Sequence, residues 1–269
     1  MWKKVKVFVT VKAYPNLSEK YEETVCVAGI TEEGNWIRMY PVPFRKLPSH
    51  KQFKRYIWIE VEAQKSKEHE KYQRKESHKI KPETIEIVDD SLAKNPIDWD
   101  GRNKIILPLL NKSVEELIER SEEDGTSLGL IKPNRIFDFY KKDRGTCRDW
   151  ERELITGRQT TLCGDYKSPL EYIPYWMGYH FRCCDDRCKD HNMMCEDWEL
   201  GELWRKMRDK YGLDNCFAKV KQKYLDELTK RDIYFYMGTE SKWNNWLLIG
   251  IYYPPKKIKN KNTSLFDFF

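Results

Sequence analysis

Apolar and polar positions alternate along the N-terminal part of the chain. Val5, Val7, Val9 and Val11 recur at every second position between Lys4 and Val11, the repeat of a strand with one buried face. Thr24–Ile30 and Trp36–Val42 are further short apolar runs, and Ile57, Ile59 and Val61 restore the alternation within Tyr56–Ala63. Turn formers separate the runs, Tyr14-Pro15-Asn16 and then Glu33-Gly34-Asn35. Short strands at this spacing predict a small barrel. Residues 64–84 are charged and polar and read as a solvated loop or flap.

Beyond this point the period changes. Ser113-Val114-Glu115-Glu116 is a capping box and predicts a helix to about Glu123, stopped near Gly125. Ser127–Tyr140 holds a strand-like segment around Pro133. Leu200, Leu203, Trp204 and Met207 fall at helical spacing within Asp197–Tyr211, ahead of Gly212. Phe217, Val220, Tyr224, Leu225 and Leu228 mark a second helix over Asn215–Lys230. Strands are expected at Ile233–Met237 and Trp246–Tyr253, the second stopped by Pro254-Pro255. No internal repeat is visible. The expected class is α+β: a small N-terminal β-barrel-like part (1–112), a metal-stabilised C-terminal α+β part (113–255) and a flexible lysine-rich tail (256–269).

Charge and composition narrow the function classes. A net charge of +6 and a pI near 8.7 are too mild for a protein that grips nucleic acid by charge alone. The most apolar stretch, Trp246–Tyr253, is too short to span a bilayer. Met1-Trp2-Lys3-Lys4 runs straight into the first strand with no cleavable apolar segment. The expected location is the cytoplasm, in association with the nucleoid. Phosphate-loop, dinucleotide, serine-hydrolase and nucleobase-deaminase signatures are absent from the sequence. With 10 Trp, 16 Tyr and 11 Phe, rings are plentiful enough to serve both packing and base stacking. Lys12, Tyr14, Arg38, Tyr40 and Arg45 are the candidate nucleic-acid contacts on the barrel. Arg38 and Tyr40, two apart, share one strand face.

Three cysteines and a histidine crowd into one short segment: Cys184, Cys188, His191 and Cys195, spaced C-x4-C-x2-H-x3-C. Three thiolates and an imidazole suit tetrahedral zinc, which would pin an otherwise irregular loop. Cys183 is an alternative first ligand, and His180 is near. An iron–sulfur cluster recruiting Cys147 or Cys163 is the second reading. Directly after the cluster comes Glu196-Asp197-Trp198-Glu199. Asp197 is a natural helix cap there. In the enzymatic reading Asp197 and Glu199 are catalytic carboxylates, binding Mg²⁺ or Mn²⁺ or acting as a general base.

The last eight residues are Asn262-Thr263-Ser264-Leu265-Phe266-Asp267-Phe268-Phe269. They resemble the peptide that binds PCNA, the archaeal and eukaryotic sliding clamp. Leu265, Phe268 and Phe269 take its three hydrophobic positions, and Asn262 stands where that peptide carries glutamine, one methylene shorter. Anchors gathered on one helical turn fill one pocket of the partner. The body of the chain resembles an uncharacterised prokaryotic clamp-associated family. The shared phrases are Glu23-Thr24-Val25-Cys26, Trp36-Ile37-Arg38, Tyr40-Pro41, Ser127-Leu128-Gly129-Leu130-Ile131 and the Cys184, Cys188, His191 set with Asp197-Trp198-Glu199. The resemblance implies clamp attachment and DNA as partners, in an archaeal setting given the Phe-Phe ending. The expected function is therefore a PCNA-associated DNA-binding protein in repair or replication-linked processing. It could act as a metal-dependent nuclease or a glycosylase-type, base-removing enzyme. The alternatives are a non-enzymatic clamp-tethered adaptor and a nucleic-acid-targeting defence protein.

Overall fold

The computed structural model describes residues 1–18, 22–66, 74–145, 172–240 and 245–256. Residues 262–269, expected to bind a clamp, and Cys147 and Cys163 lie outside them. The chain is α+β with a closed, five-stranded barrel at its N-terminal end. The first half supplies β1 (Lys3–Lys12), β2 (Asn16–Ser18), β3 (Glu22–Thr31), β4 (Trp36–Val42), β5 (Trp58–Lys65), β6 (Ser77–Ile80) and β7 (Glu86–Asp89). The barrel runs β1-β3-β4-β6-β5 and closes by β5 on β1. Every pairing is antiparallel except β4 with β6. β6 lies inside the stretch that reads as a solvated loop. Only Ser77 and Ile80 of its residues are buried, so backbone pairing, not an apolar pattern, makes it a strand.

The second half repeats this plan. Helices α1 (Ser91–Lys94) and α2 (Trp99–Ile106) lead to β8 (Leu110–Asn111), α3 (Val114–Asp124), β9 (Leu128–Ile131) and β10 (Arg135–Asp143). Then come β11 (Tyr175–Arg182), β12 (His191–Met194), α4 (Trp198–Lys221), β13 (Tyr234–Thr239) and β14 (Trp246–Tyr252). β9 and β10 follow each other across Pro133 and belong to two sheets, β14-β13-β9-β8 and β10-β11-β12. β10 pairs β11, β11 pairs β12, β14 pairs β13, and β13 pairs β9, all antiparallel. Cys195, just past β12, bridges Leu248 of β14 in parallel. The order β9/β10-β11-β12-β14-β13 therefore matches that of the first barrel, strand for strand, including the one parallel pairing between third and fifth strands. The caps follow the sequence. Ser113 accepts from the Glu116 amide at 3.1 Å, Gly125 ends α3 in the left-handed region, and Gly212 (φ 76°) breaks α4.

Three packed clusters follow from this duplication. Val7, Val9, Val27, Ile37, Met39 and Ile59 fill the first barrel. Phe139, Tyr179, Phe181, Phe235 and Leu248 fill the second, which α4 plugs with Leu200, Trp204 and Val220. Between the barrels, Phe8, Val11, Ala28 and Ile30 pack with Leu128, Leu130, Tyr236 and Ile249. β1 is thus buried on both faces, which is why Val7–Val11 is buried without alternation. No helix among the described residues is long and apolar enough to cross a membrane.

Candidate functional site

Of the residues expected to meet nucleic acid on the first barrel, Arg38 is buried, Lys12, Tyr14 and Arg45 are half-buried and Tyr40 is exposed. The outer face of β4 lies under the second barrel, so Arg38 is 4% exposed and donates to the Ser127 carbonyl at 2.7 Å. It ties the barrels together and does not reach solvent. Lys12 is half-buried, donating to the Phe53 carbonyl at 3.0 Å with the Phe44 ring 4.1 Å away. Burial lowers its amine to about 8, against the pull of Glu199. Tyr14 packs on α4, where a Cβ on Gly201 would run into its ring. Tyr40 is 37% exposed and accepts from the Thr24 hydroxyl. Arg45 is half-buried in a 3-10 turn.

Asp197 and Glu199 both meet Arg55, a cation from the first half of the chain. Arg55, 4% exposed, donates to Asp197 Oδ2 at 3.3 Å and Glu199 Oε2 at 3.0 Å. Its other nitrogens reach the Thr10 and Ile251 carbonyls and the Tyr56 hydroxyl at 2.7–2.8 Å. Asp197 caps α4 through the Glu199 amide at 2.9 Å and also accepts from the Ile251 amide at 3.3 Å. Burial pushes its carboxyl up to about 6, with Arg55 opposing the shift. Glu199 remains nearly half exposed. The arrangement fastens the two barrels and the start of α4 at one buried ion pair. No signal in the local sequence Phe53-Lys54-Arg55-Tyr56 marks Arg55 as buried.

The cysteine segment gathers a group that could hold a metal ion: Cys188 and His191 of the expected set, Cys183 as the alternative first ligand, and Glu115. Cys183, Cys188, His191 and Glu115 place one donor atom each within 4.8 Å of one another. Cys188 Sγ lies 3.3 Å from His191 Nε2, which lies 2.9 Å from Glu115 Oε1. The Cys183 amide donates to Cys188 Sγ at 3.2 Å. Cys184, in contrast, is exposed. Cys195 is buried in the second barrel's core, on the strand bridge with Leu248. Successive residues 183 and 184 point to opposite sides, and the inner one joins the cluster. Glu115 comes from the first turn of α3, which is held to the same loop by Ser113 donating to Asp185 at 3.0 Å. Glu115 Oε2 is buried and has no hydrogen-bond partner, the state of a carboxylate oxygen placed for a cation. Two thiols, an imidazole and a carboxylate are a donor set that suits zinc.

Two surfaces remain. A cleft of about 650 Å³ lies between the barrels, lined by Trp36, Lys65, Lys75, His78 and Arg120. Its charges are largely matched, Lys75 by Asp124 and Arg120 by Glu116. The outer face of β10, β11 and β12 carries half-exposed Phe137, Tyr140 and Trp176 among exposed Arg135 and Lys142. Sequence reading missed this face. Its only sequence signal is rings and cations at alternate strand positions.

Residues 3–108 match the model described as Domain of unknown function (DUF8758). No curated protein matches the chain. The second match covers more than half of the chain and starts where the second barrel's sheet begins, at β8. The chain belongs to the family described as Domain of unknown function (DUF8757), whose model matches residues 110–269.

Proposed function

We propose that this protein is a non-enzymatic DNA-binding adaptor tethered to a sliding clamp, with zinc holding its C-terminal part together. The observation that carries the DNA reading is the duplicated strand order. A five-stranded Greek-key barrel is the oligonucleotide-binding type of barrel. The first half closes one, and the second half follows the same strand order across two sheets joined by the Cys195–Leu248 bridge. The adaptor reading is preferred to a nuclease because the Asp197 carboxylate is spent on Arg55, a helix cap and the Ile251 amide. The clamp reading rests on the resemblance of Asn262, Leu265, Phe268 and Phe269 to the PCNA-binding peptide. Zinc would be held by Glu115, Cys183, Cys188 and His191, joining α3 to the turn between β11 and β12.

The test uses the full chain with labelled single-stranded and duplex DNA, with and without Mg²⁺ or Mn²⁺, and immobilised PCNA. Salt-sensitive binding of single strands without cleavage is expected. Deleting Leu265–Phe269 should abolish retention on the clamp and leave DNA affinity unchanged. No affinity for DNA would overturn the DNA reading. A cleaved product would overturn the adaptor reading. Full clamp retention after the deletion would overturn the tether.

A further inference from the structure

The two barrels use equivalent faces differently. In the first, Ala28, Ile30 and Arg38, pointing out from the second and third strands, are covered by the second barrel. In the second, the equivalent strands are β11 and β12, with β10 beside them. Paired residues share a face of a sheet, so the register fixes the directions. Phe139 with Tyr179 and Ile136 with Phe181 point into the core. Lys142 with Trp176, Tyr140 with Gly178 and Arg135 with Arg182 therefore point out. Among the described residues, no element of the first barrel covers them.

The rings on this face are held in place. Phe137, at a bulge in β10, lies 4.7 Å from the His180 ring with the Arg135 guanidinium 5.0 Å from its centre. Arg144 stacks on Trp176 at 4.2 Å and on Tyr172 at 4.7 Å. In the middle, Gly178 leaves a floor without a side chain between Tyr140 and Met194. A Cβ there would collide with the Met193 carbonyl, so the bare strip is imposed by the close approach of β12. Acidic groups on the face are neutralised. Asp138 pairs with Lys221 at 2.6 Å, and Asp190 pairs with Arg182. Among the described residues Arg135 and Lys142 carry no acidic partner, and Arg144, whose charge also reaches Glu196, adds to the positive field. Rings exposed on a rigid strand floor and interleaved with cations suit a polymer that offers π-faces and phosphates in alternation. A duplex hides its π-faces, so the occupant is single-stranded.

We infer that single-stranded DNA lies across the outer face of β10, β11 and β12, with bases on Phe137, Tyr140 and Trp176 and phosphates at Arg135, Lys142 and Arg144. This rests on the DNA-binding reading above. It is tested in the full chain by fluorescence anisotropy with a labelled oligothymidylate. Trp176→Ala and Tyr140→Ala should each weaken binding roughly tenfold. Arg135→Gln with Lys142→Gln should lower the slope of log affinity on log salt by about 0.7 for each phosphate no longer neutralised. Ile97→Ala, fully on the surface ahead of α2, should leave affinity unchanged. Photocrosslinking from bromodeoxyuridine reports on the wild-type protein and should label β10 or β11. If wild type binds DNA but the β10–β11 variants match it and crosslinks fall on the first barrel, the location is overturned and the DNA reading stands. If wild type binds no DNA, the reading itself fails.

Discussion

Replacing Arg55 by leucine removes the cation from the centre of the inter-barrel junction while keeping most of the side-chain volume. In the wild type, Arg55 reaches two carboxylates, two backbone carbonyls and the Tyr56 hydroxyl. Leucine leaves Asp197, 3% exposed, as a buried carboxylate without its cation, which costs about 3–5 kcal/mol. The stranded carbonyls of Thr10 and Ile251 are part of that cost rather than additions to it. The effect depends on pH. The Asp197 carboxyl stands at about 6 in the folded protein, above its ordinary 3.8. Its folded-state value is raised, so its contribution to stability is fully present below the ordinary value and is lost as pH rises through about 6. Without Arg55 the value rises further. The Arg55→Leu penalty should therefore be largest above pH 6 and shrink towards acid, where the carboxyl is neutral. Denaturant unfolding of wild type, Arg55→Leu, Asp197→Asn and the double variant measures this. Asp197→Asn should recover part of the loss in the Arg55→Leu background, with a coupling of about 1–3 kcal/mol. A penalty below about 1 kcal/mol at alkaline pH, or strictly additive variants, would refute the view that this pair fastens the barrels.

Three further outcomes are expected. Freshly purified protein should carry about one zinc per chain, kept by Cys184→Ser and lost from Cys188→Ser and His191→Ala. Cobalt substitution should give a thiolate charge-transfer band that Cys183→Ser weakens and Cys195→Ser leaves in place, and the reverse pattern would restore the ligand set suggested by spacing. Burial, reinforced by Glu240, pushes the Glu196 carboxyl up to about 7 from 4.5, so its contribution to stability is present below 4.5 and lost as pH rises through 7. Glu196→Gln should then gain about 1–2 kcal/mol in unfolding experiments above neutrality and nothing at acid pH, with an equal gain at both refuting the assignment. Gly201→Ala should destabilise by about 1–3 kcal/mol, because the new methyl meets Tyr14. The intrinsic helix preference alone would give a gain of about 1 kcal/mol, so the sign found by thermal unfolding decides the point.

Local rules made much of the fold legible. Alternating valines marked β1, the Ser113 capping box marked α3, and Gly212 marked the break in α4, because each is a short-range effect of backbone sterics, capping or period. β6 was hidden, since two buried positions in a charged stretch carry no period. The density of Cys and His near 188–191 pointed to a metal site. Spacing alone could not choose Cys183 over Cys184, because that depends on which way the strand faces, and Glu115 lies 76 residues from His191.

The sequence by itself marked β1, β3, β4, β5, β13 and β14, the ends of α3, the break in α4 and the crowding of metal-ligand types, all of which depend on neighbours along the chain. Only the tertiary structure decided that the two halves share one strand order, because pairing joins residues far apart and leaves no common sequence period. It also decided that Arg38 and Arg55 are buried and Phe137, Tyr140 and Trp176 are not. An outward-facing strand residue looks the same in sequence whether water or a second barrel lies against it.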